Sequence, residues 1–306
     1  MKALVTGGAG FLGSHLVDAL LAAGWAVTVF DHRLAGKCLA DATLARVEAI
    51  AGDVLDAGAV ARAAEGCAVL FHCAAMVGTD AYANEPVRTM ETEQIGLRNA
   101  CRAVRAAGCR QLVYISSSAV YGHAGGSAAL EESLEVAPVS NYGIAKRFNE
   151  LYLAAQHAAH GLSSVALRVF NVYGPRQDQR LVIPRFVHRA LAGEPIVLFG
   201  DGSQTRDFVY VGDVVAVALA CAGLAPCCEV VNVASGGEVS VRTLAETVIR
   251  LTGSSSPLVF EPRPPNRTAF EVERCFGSQE RLRRLTGQVP ETGLEEGLRR
   301  TIAGTP

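Results

Sequence analysis

The sequence predicts an α/β fold, a doubly wound parallel sheet with a smaller C-terminal α/β lobe, and three observations carry that expectation. Short β-branched runs alternate with Ala/Leu-rich helical text from Lys2 to about Gly126, glycines cluster between the first strand and the first helix, and proline and glycine punctuation takes over after Gly174-Pro175. Strands joined by helical crossovers are covered on both faces and so read as continuous apolar runs. Of the 306 residues, 50% are apolar and 19% charged, enough for one large α/β unit or for a larger and a smaller lobe.

In chain order, Ala3-Leu4-Val5 reads as the first strand, Leu12 to Ala23 as a helix, and Ala26 to Phe30, Val69 to Phe71 and Leu112 to Ile115 as further strands. Glu91 to Ala107 and Tyr142 to His160 read as long helices ending at Gly108 and Gly161, where glycine accepts the left-handed C-terminal conformation. Val165 to Phe170 is another strand. Pro184, Pro195 and Gly200-Asp201-Gly202 then mark a change of texture, while Glu229 to Val233 and Ser240 to Thr252 return to sheet-and-helix text. The expected division is residues 1–174 for the first domain, with a later return around 205–250, and 175–306 mainly for the second lobe.

Bulk properties exclude several classes. A net charge of −2 and a pI near 6.4 give no field to gather nucleic acid or an anionic membrane. The nine cysteines are scattered without zinc-ligand spacing, so no metal is expected and reduced structural thiols are. Met1-Lys2 runs straight into a strand with no apolar stretch of signal or membrane length, which reads as a cytoplasmic protein.

Thr6-Gly7-Gly8-Ala9-Gly10-Phe11-Leu12-Gly13 places glycines at G-x-x-G-x-x-G spacing between strand and helix. A tight turn, close approach to a pyrophosphate and close helix packing each require a missing side chain, and the helix N-terminus adds N–H donors and positive dipole. Asp31, at the end of the second strand, suits a ribose diol and favours NAD, since a carboxylate repels a 2′-phosphate; Arg33 leaves room for NADP. Further on, Tyr142-Gly143-Ile144-Ala145-Lys146 puts phenol and ammonium on one helical face, where the lysine charge favours phenolate and lets the tyrosine accept a proton.

With Ser116-Ser117-Ser118-Ala119-Val120-Tyr121-Gly122, these motifs resemble the extended short-chain dehydrogenase/reductase family and its UDP-glucose 4-epimerase-like sugar-nucleotide epimerases and dehydratases, over nearly the whole chain. Gly52-Asp53-Val54, Cys73-Ala74-Ala75, Arg168 to Pro175, Phe199 to Val209 and Glu295 to Leu298 extend the resemblance. It implies a Rossmann NAD-binding domain and a substrate-binding lobe. It makes Tyr142 the catalytic acid and base, Lys146 its tuner on the nicotinamide ribose, and Ser117 or Ser118, with Ser117 favoured by spacing, the partner of the sugar hydroxyl. Gly7, Gly10, Phe11, Leu12, Gly13, Asp31, Asp53, Val54, Ala74 and Ala75 would line the cofactor. Asn171, Arg206 and Arg263 would hold a nucleotide sugar, the guanidinium fork matching phosphate oxygens.

Members that dehydrate or decarboxylate carry acidic residues just after the second serine position, and here Ser118 and Ala119 stand there. The implied activity is therefore NAD-dependent C4-epimerisation of a UDP-hexose through a transient 4-keto intermediate, an isomerase of carbohydrate metabolism. Phe270 would crowd an N-acetyl group and favours glucose/galactose or uronic acid sugars. The chain departs from the pattern at Glu93, where asparagine is usual, and at Arg263-Pro264-Pro265-Asn266, where R-P-G-D is. An NAD(P)H-dependent ketoreductase acting on a nucleotide-linked deoxysugar or other ketone, and a dinucleotide-binding regulatory protein, stay open as alternatives. The resemblance also implies a homodimer through the two long helices, whose Ala103, Ala106, Ala107, Ala154, Ala155 and Ala158 permit close approach or line the monomer core.

Overall fold

A computed structural model describes residues 1–35, 38–76, 85–124, 128–263 and 272–305. Its main sheet has seven strands. β1 (Lys2–Thr6), β2 (Ala26–Asp31), β3 (Glu48–Ala51), β4 (Val69–His72), β5 (Gln111–Ser117) and β6 (Ser164–Val169) are joined by a last strand, Cys228–Val233. The order across the sheet is Cys228–Val233, β6, β5, β4, β1, β2, β3. β1 pairs in parallel with both β2 and β4, so strand order reverses there, and in doubly wound sheets that reversal opens a ligand crevice at the carboxyl ends. β1, β4 and β6 bury nearly every side chain, as the continuous apolar runs require.

The helices follow the expected text with shifted ends. Phe11–Ala22 leads off from the glycine turn. The helix read from Glu91 begins instead at Pro86, because proline at a first helical turn forfeits only an N–H that has no partner there. It ends at Gly108 with φ +67°, and Gly161, after the Asn141–His160 helix, has φ +67°. Ser240 lies outside the Val241–Thr252 helix and caps it, accepting the Thr243 N–H at 3.0 Å.

The chain divides into two compact units. The first comprises Met1–Val120, Asn141–Arg168 and Val215–Val231; the second comprises Tyr121–Ser140, Val169–Val214 and Asn232–Pro306. One side of the first is packed around Leu4, Phe30, Leu70, Leu97, Leu112 and Leu153. The second has its own core of Tyr173, Phe186, Leu198, Leu244, Val248 and Leu298. In it Ile196–Phe199 pairs with Leu258–Glu261, Asn171–Tyr173 with Phe208–Tyr210, and Thr205–Arg206 lies between Val239–Ser240 and Arg274–Cys275. Among the described residues, no helix is long and apolar enough to cross a membrane.

Candidate functional site

The glycine turn is a cradle that only glycine can form. Gly7 has φ +68°, and a Cβ there would meet the Ala74 nitrogen at 2.7 Å, so the loops leaving β1 and β4 touch backbone to backbone. A Cβ on Gly13 would fall 2.1 Å from the Gly7 carbonyl oxygen, which forces the first turn of the helix onto the loop. Gly10 caps that helix with no side-chain acceptor, leaving the N–H groups near Phe11 and Leu12 suited to an anion. Asp31 is buried at the end of β2, where Oδ2 accepts the Ala9 N–H and Oδ1 the Arg33 N–H, both at 3.2 Å. Its carboxylate is thus fixed beside the loop, as a ribose diol would need. Loop, open helix end and carboxylate together fit NAD.

The other expected cofactor residues are spread along the same edge. Val54 is buried and faces Gly96, Asp53 accepts the Leu55 N–H at 3.0 Å in an exposed turn, and Ala74 and Ala75 follow β4, half-buried.

β5 and the Asn141–His160 helix bring the chemistry-bearing side chains to one place. β5 ends at Ser117, whose Oγ accepts the Ala119 N–H at 3.1 Å, and Ser118 opens a short 3-10 turn. Lys146 crosses back to β5, donating to the Ile115 carbonyl at 2.8 Å, and its ammonium lies 5.4 Å from the centre of the half-buried Tyr142 ring. Lys146 is 2% exposed and pairs at 2.9 Å with Glu93, which is 0% exposed. Burial pulls the lysine down, but Glu93, Tyr142 and Cys73 outweigh it, and the ammonium stands above its ordinary value. The groups at the end of β4 are held neutral: burial, then the Lys146 charge, brings His72 down to about 3, and burial pushes Cys73 up to about 12.

The second unit holds a separate cationic pocket. Arg185, Arg206 and Arg263 line it with Asn171 and Gln204, over apolar walls from Val182, Phe186, Leu198 and Phe208. Asn171 donates through Nδ2 to the Asp207 carbonyl at 3.2 Å, which fixes its amide beside Arg206. Arg263 is held in a two-pronged pair with Glu273. Three guanidiniums above an apolar floor suit a diphosphate carrying a flat base. Phe270, and with it the sugar preference read from it, lies outside the described residues.

Sequence reasoning missed Arg185, Tyr114 and Asn149. Arg185 follows Pro184, in a stretch whose sequence reads as punctuation, yet it lies in the Val182–Ala192 helix, and which face of that helix meets the pocket is not written in local spacing. Tyr114 and Asn149 join the site through contacts that no local spacing encodes.

Residues 3–234 match the model of the NAD dependent epimerase/dehydratase family. The UDP-glucose 4-epimerase of Mycolicibacterium smegmatis is 33% identical over 99% of this chain and 97% of its own. The UDP-N-acetyl-alpha-D-glucosaminuronate decarboxylase of Bacillus cytotoxicus is 31% identical over 98% and 96%. The crystal structure of UDP-glucose 4-epimerase from Thermotoga maritima with UDP-glucose superposes with a TM-score of 0.92 at 32% identity, covering 99% of this chain and 98% of that one.

Proposed function

Because the chain belongs to the NAD dependent epimerase/dehydratase family, we propose that it interconverts the C4 epimers of a UDP-hexose of the glucose/galactose or uronic acid type. The observation that carries this reading is the Tyr142–Lys146 pair anchored to β5, the strand that ends at Ser117, with serine and alanine rather than a carboxylate at 118 and 119. Bound NAD supplies a reversible two-electron acceptor. Tyr142 takes the O4 proton and returns it, Lys146 stabilises the phenolate by its charge, and Ser117 orients the sugar hydroxyl. Elimination and decarboxylation gain from an added carboxylate to handle a further proton, and positions 118 and 119 carry none. Asn171, Arg206, Arg263 and Arg185 are the diphosphate contacts.

Self-association belongs to the same reading. Ile144, Phe148 and Leu151 are 43%, 45% and 54% exposed and recur along one face of the Asn141–His160 helix, an apolar stripe suited to a second copy. Of the alanines that permit close helix approach or line the core, Ala103 is buried in the monomer core and Ala107 packs half-buried against it, while Ala106, Ala154, Ala155 and Ala158 are exposed.

The test denatures the purified protein to identify its dinucleotide, then incubates native protein with UDP-glucose, UDP-galactose and UDP-glucuronate without added cofactor. NAD release with interconversion of a C4 pair supports the epimerase. Carbon dioxide and a UDP-pentose from UDP-glucuronate would replace it with a decarboxylase, and turnover that requires NADPH and a keto-sugar with a reductase.

A further inference from the structure

Glu93 stands where three elements converge. From the Pro86–Ala107 helix its Oε2 reaches Lys146 Nζ at 2.9 Å, accepts from the Tyr114 hydroxyl of β5 at 3.1 Å, and is approached by the Asn149 amide of the Asn141–His160 helix at 3.4 Å. Asn149 also donates to the Glu93 carbonyl at 3.1 Å and to the Tyr114 oxygen at 2.8 Å, so carboxylate, phenol and amide form a closed collar around the lysine. All three collar residues are buried. The Glu93 Oε1 has no hydrogen-bond partner among the described residues, so the carboxylate is committed through a single oxygen to the lysine side.

Among the described residues, the other titratable groups around Lys146 carry no opposing charge. From β5, Tyr114 lies with its ring centre 4.8 Å from the ammonium, and burial pushes its phenol well above the usual range. From the end of β4, His72 and Cys73 are held neutral at about 3 and about 12. Tyr142, from the lysine's own helix, is the group that Lys146 serves. Glu93 is therefore the fixed counter-charge.

Resting on the reading of Tyr142 and Lys146 as the catalytic pair, we propose that Glu93 is a positioning residue that sets how much positive charge reaches Tyr142. Its carboxylate holds the ammonium between the Ile115 carbonyl and the phenol ring, and it offsets part of the field that favours phenolate. Replacing the carboxylate by an amide of the same shape keeps the collar's packing and removes the offset, so that, with Lys146 still holding its proton, Tyr142 should give up its own at lower pH.

The test titrates the ultraviolet phenolate band of the purified holoprotein, isolating the Tyr142 contribution by subtracting the Tyr142→Phe variant in each background. In Glu93→Gln the Tyr142 transition is expected to fall by on the order of one pH unit. The acidic limb of the kcat/KM profile should move with it while KM for the UDP-sugar holds. Glu93→Asp, which keeps the charge, should return the transition most of the way to its original position. Should Glu93→Gln not fold, Glu93→Asn is the second neutral variant, and the same downward shift is expected. A Tyr142 transition that stays in place or rises in a folded neutral variant overturns the proposal. The titration needs no substrate, so it reads out even where no UDP-hexose is turned over, and the two failures stay separate.

Discussion

Glu150 and Arg168 are locked by two parallel hydrogen bonds, Nε to Oε1 at 2.9 Å and Nη2 to Oε2 at 2.8 Å, with both residues buried. Ser116 of β5 donates to Oε1 at 2.7 Å, so this pair ties the Asn141–His160 helix to β5 and β6. That helix carries Tyr142 and Lys146. Replacing Arg168 by Met leaves the buried carboxylate only Ser116 and the half-buried Arg147 as partners and should cost about 3 kcal/mol. Replacing Glu150 by Leu as well should recover more than half of that loss. Urea unfolding midpoints of the two variants check it, and equal midpoints would refute the pairing argument.

Which parts of this architecture could be read beforehand follows from the range of the interactions. The glycine turn was legible because strand, turn and helix are neighbours in sequence, and Tyr142 with Lys146 because one helical turn separates them. Glu93 was visible as a departure, but its partner was not, since Lys146 meets it only after two helices pack on β5. Arg185 and the Arg263–Glu273 pair were hidden for the same reason: a cation's role depends on which face of a helix or strand end reaches the pocket, and that is set by packing. The Pro86–Ala107 helix begins before the expected Glu91, because proline is tolerated at a first helical turn, where its missing N–H has no partner.

The cradle discriminates between glycines. A Cβ at Gly13 would lie 2.1 Å from a carbonyl oxygen, whereas at Gly10 the nearest atom, the Gly7 oxygen, is 3.2 Å away. Gly13→Ala should shift the loop, lower stability by about 1–3 kcal/mol and strip the purified protein of most of its NAD. Gly10→Ala should retain most of both. Dinucleotide content per chain after denaturation, with thermal midpoints, measures the contrast, and similar NAD loss in the two variants would contradict it.

His72 makes stability fall on the acid side of neutrality. Buried beside the Lys146 charge, it binds a proton only near pH 3 when folded, against 6.5 as its ordinary value. Between those values the unfolded chain holds the extra proton, so stability declines as pH drops through that window and is unaffected above it. At about pH 5 the loss from this residue is about 2 kcal/mol. Lys146 has a raised value, so its contribution is present below the ordinary lysine range and is lost only in alkali. Unfolding midpoints near neutrality and at about pH 5 should diverge in the natural chain and draw together in His72→Gln. An unchanged slope in that variant would assign the acid sensitivity to other groups.

Asp207, next to Arg206, anchors the strand ends beneath the cationic pocket. Its Oδ1 accepts the Ser235 N–H and hydroxyl, each at 2.7 Å, and its Oδ2 accepts the N–H groups of Gly236 and Gly277, each at 3.2 Å. Burial raises its carboxyl above the usual range, and these donors pull it part of the way back. Asp207→Asn would relieve the buried charge, yet an amide can accept on one side only, and its NH₂ would confront donors on the other. The buried Gly277 N–H and the part-buried Gly236 N–H, left without an acceptor, outweigh the relief, for a net loss of about 1–3 kcal/mol. With its strand loosened, Arg206 should hold a diphosphate less well, raising KM for the UDP-sugar several-fold while kcat changes little, because Tyr142 and Lys146 belong to the other unit. Thermal midpoints and steady-state kinetics on Asp207→Asn decide the matter: an unchanged midpoint would mean the four donors find other acceptors, and a fall in kcat at constant KM would mean that Asp207 acts on the chemistry rather than on the grip.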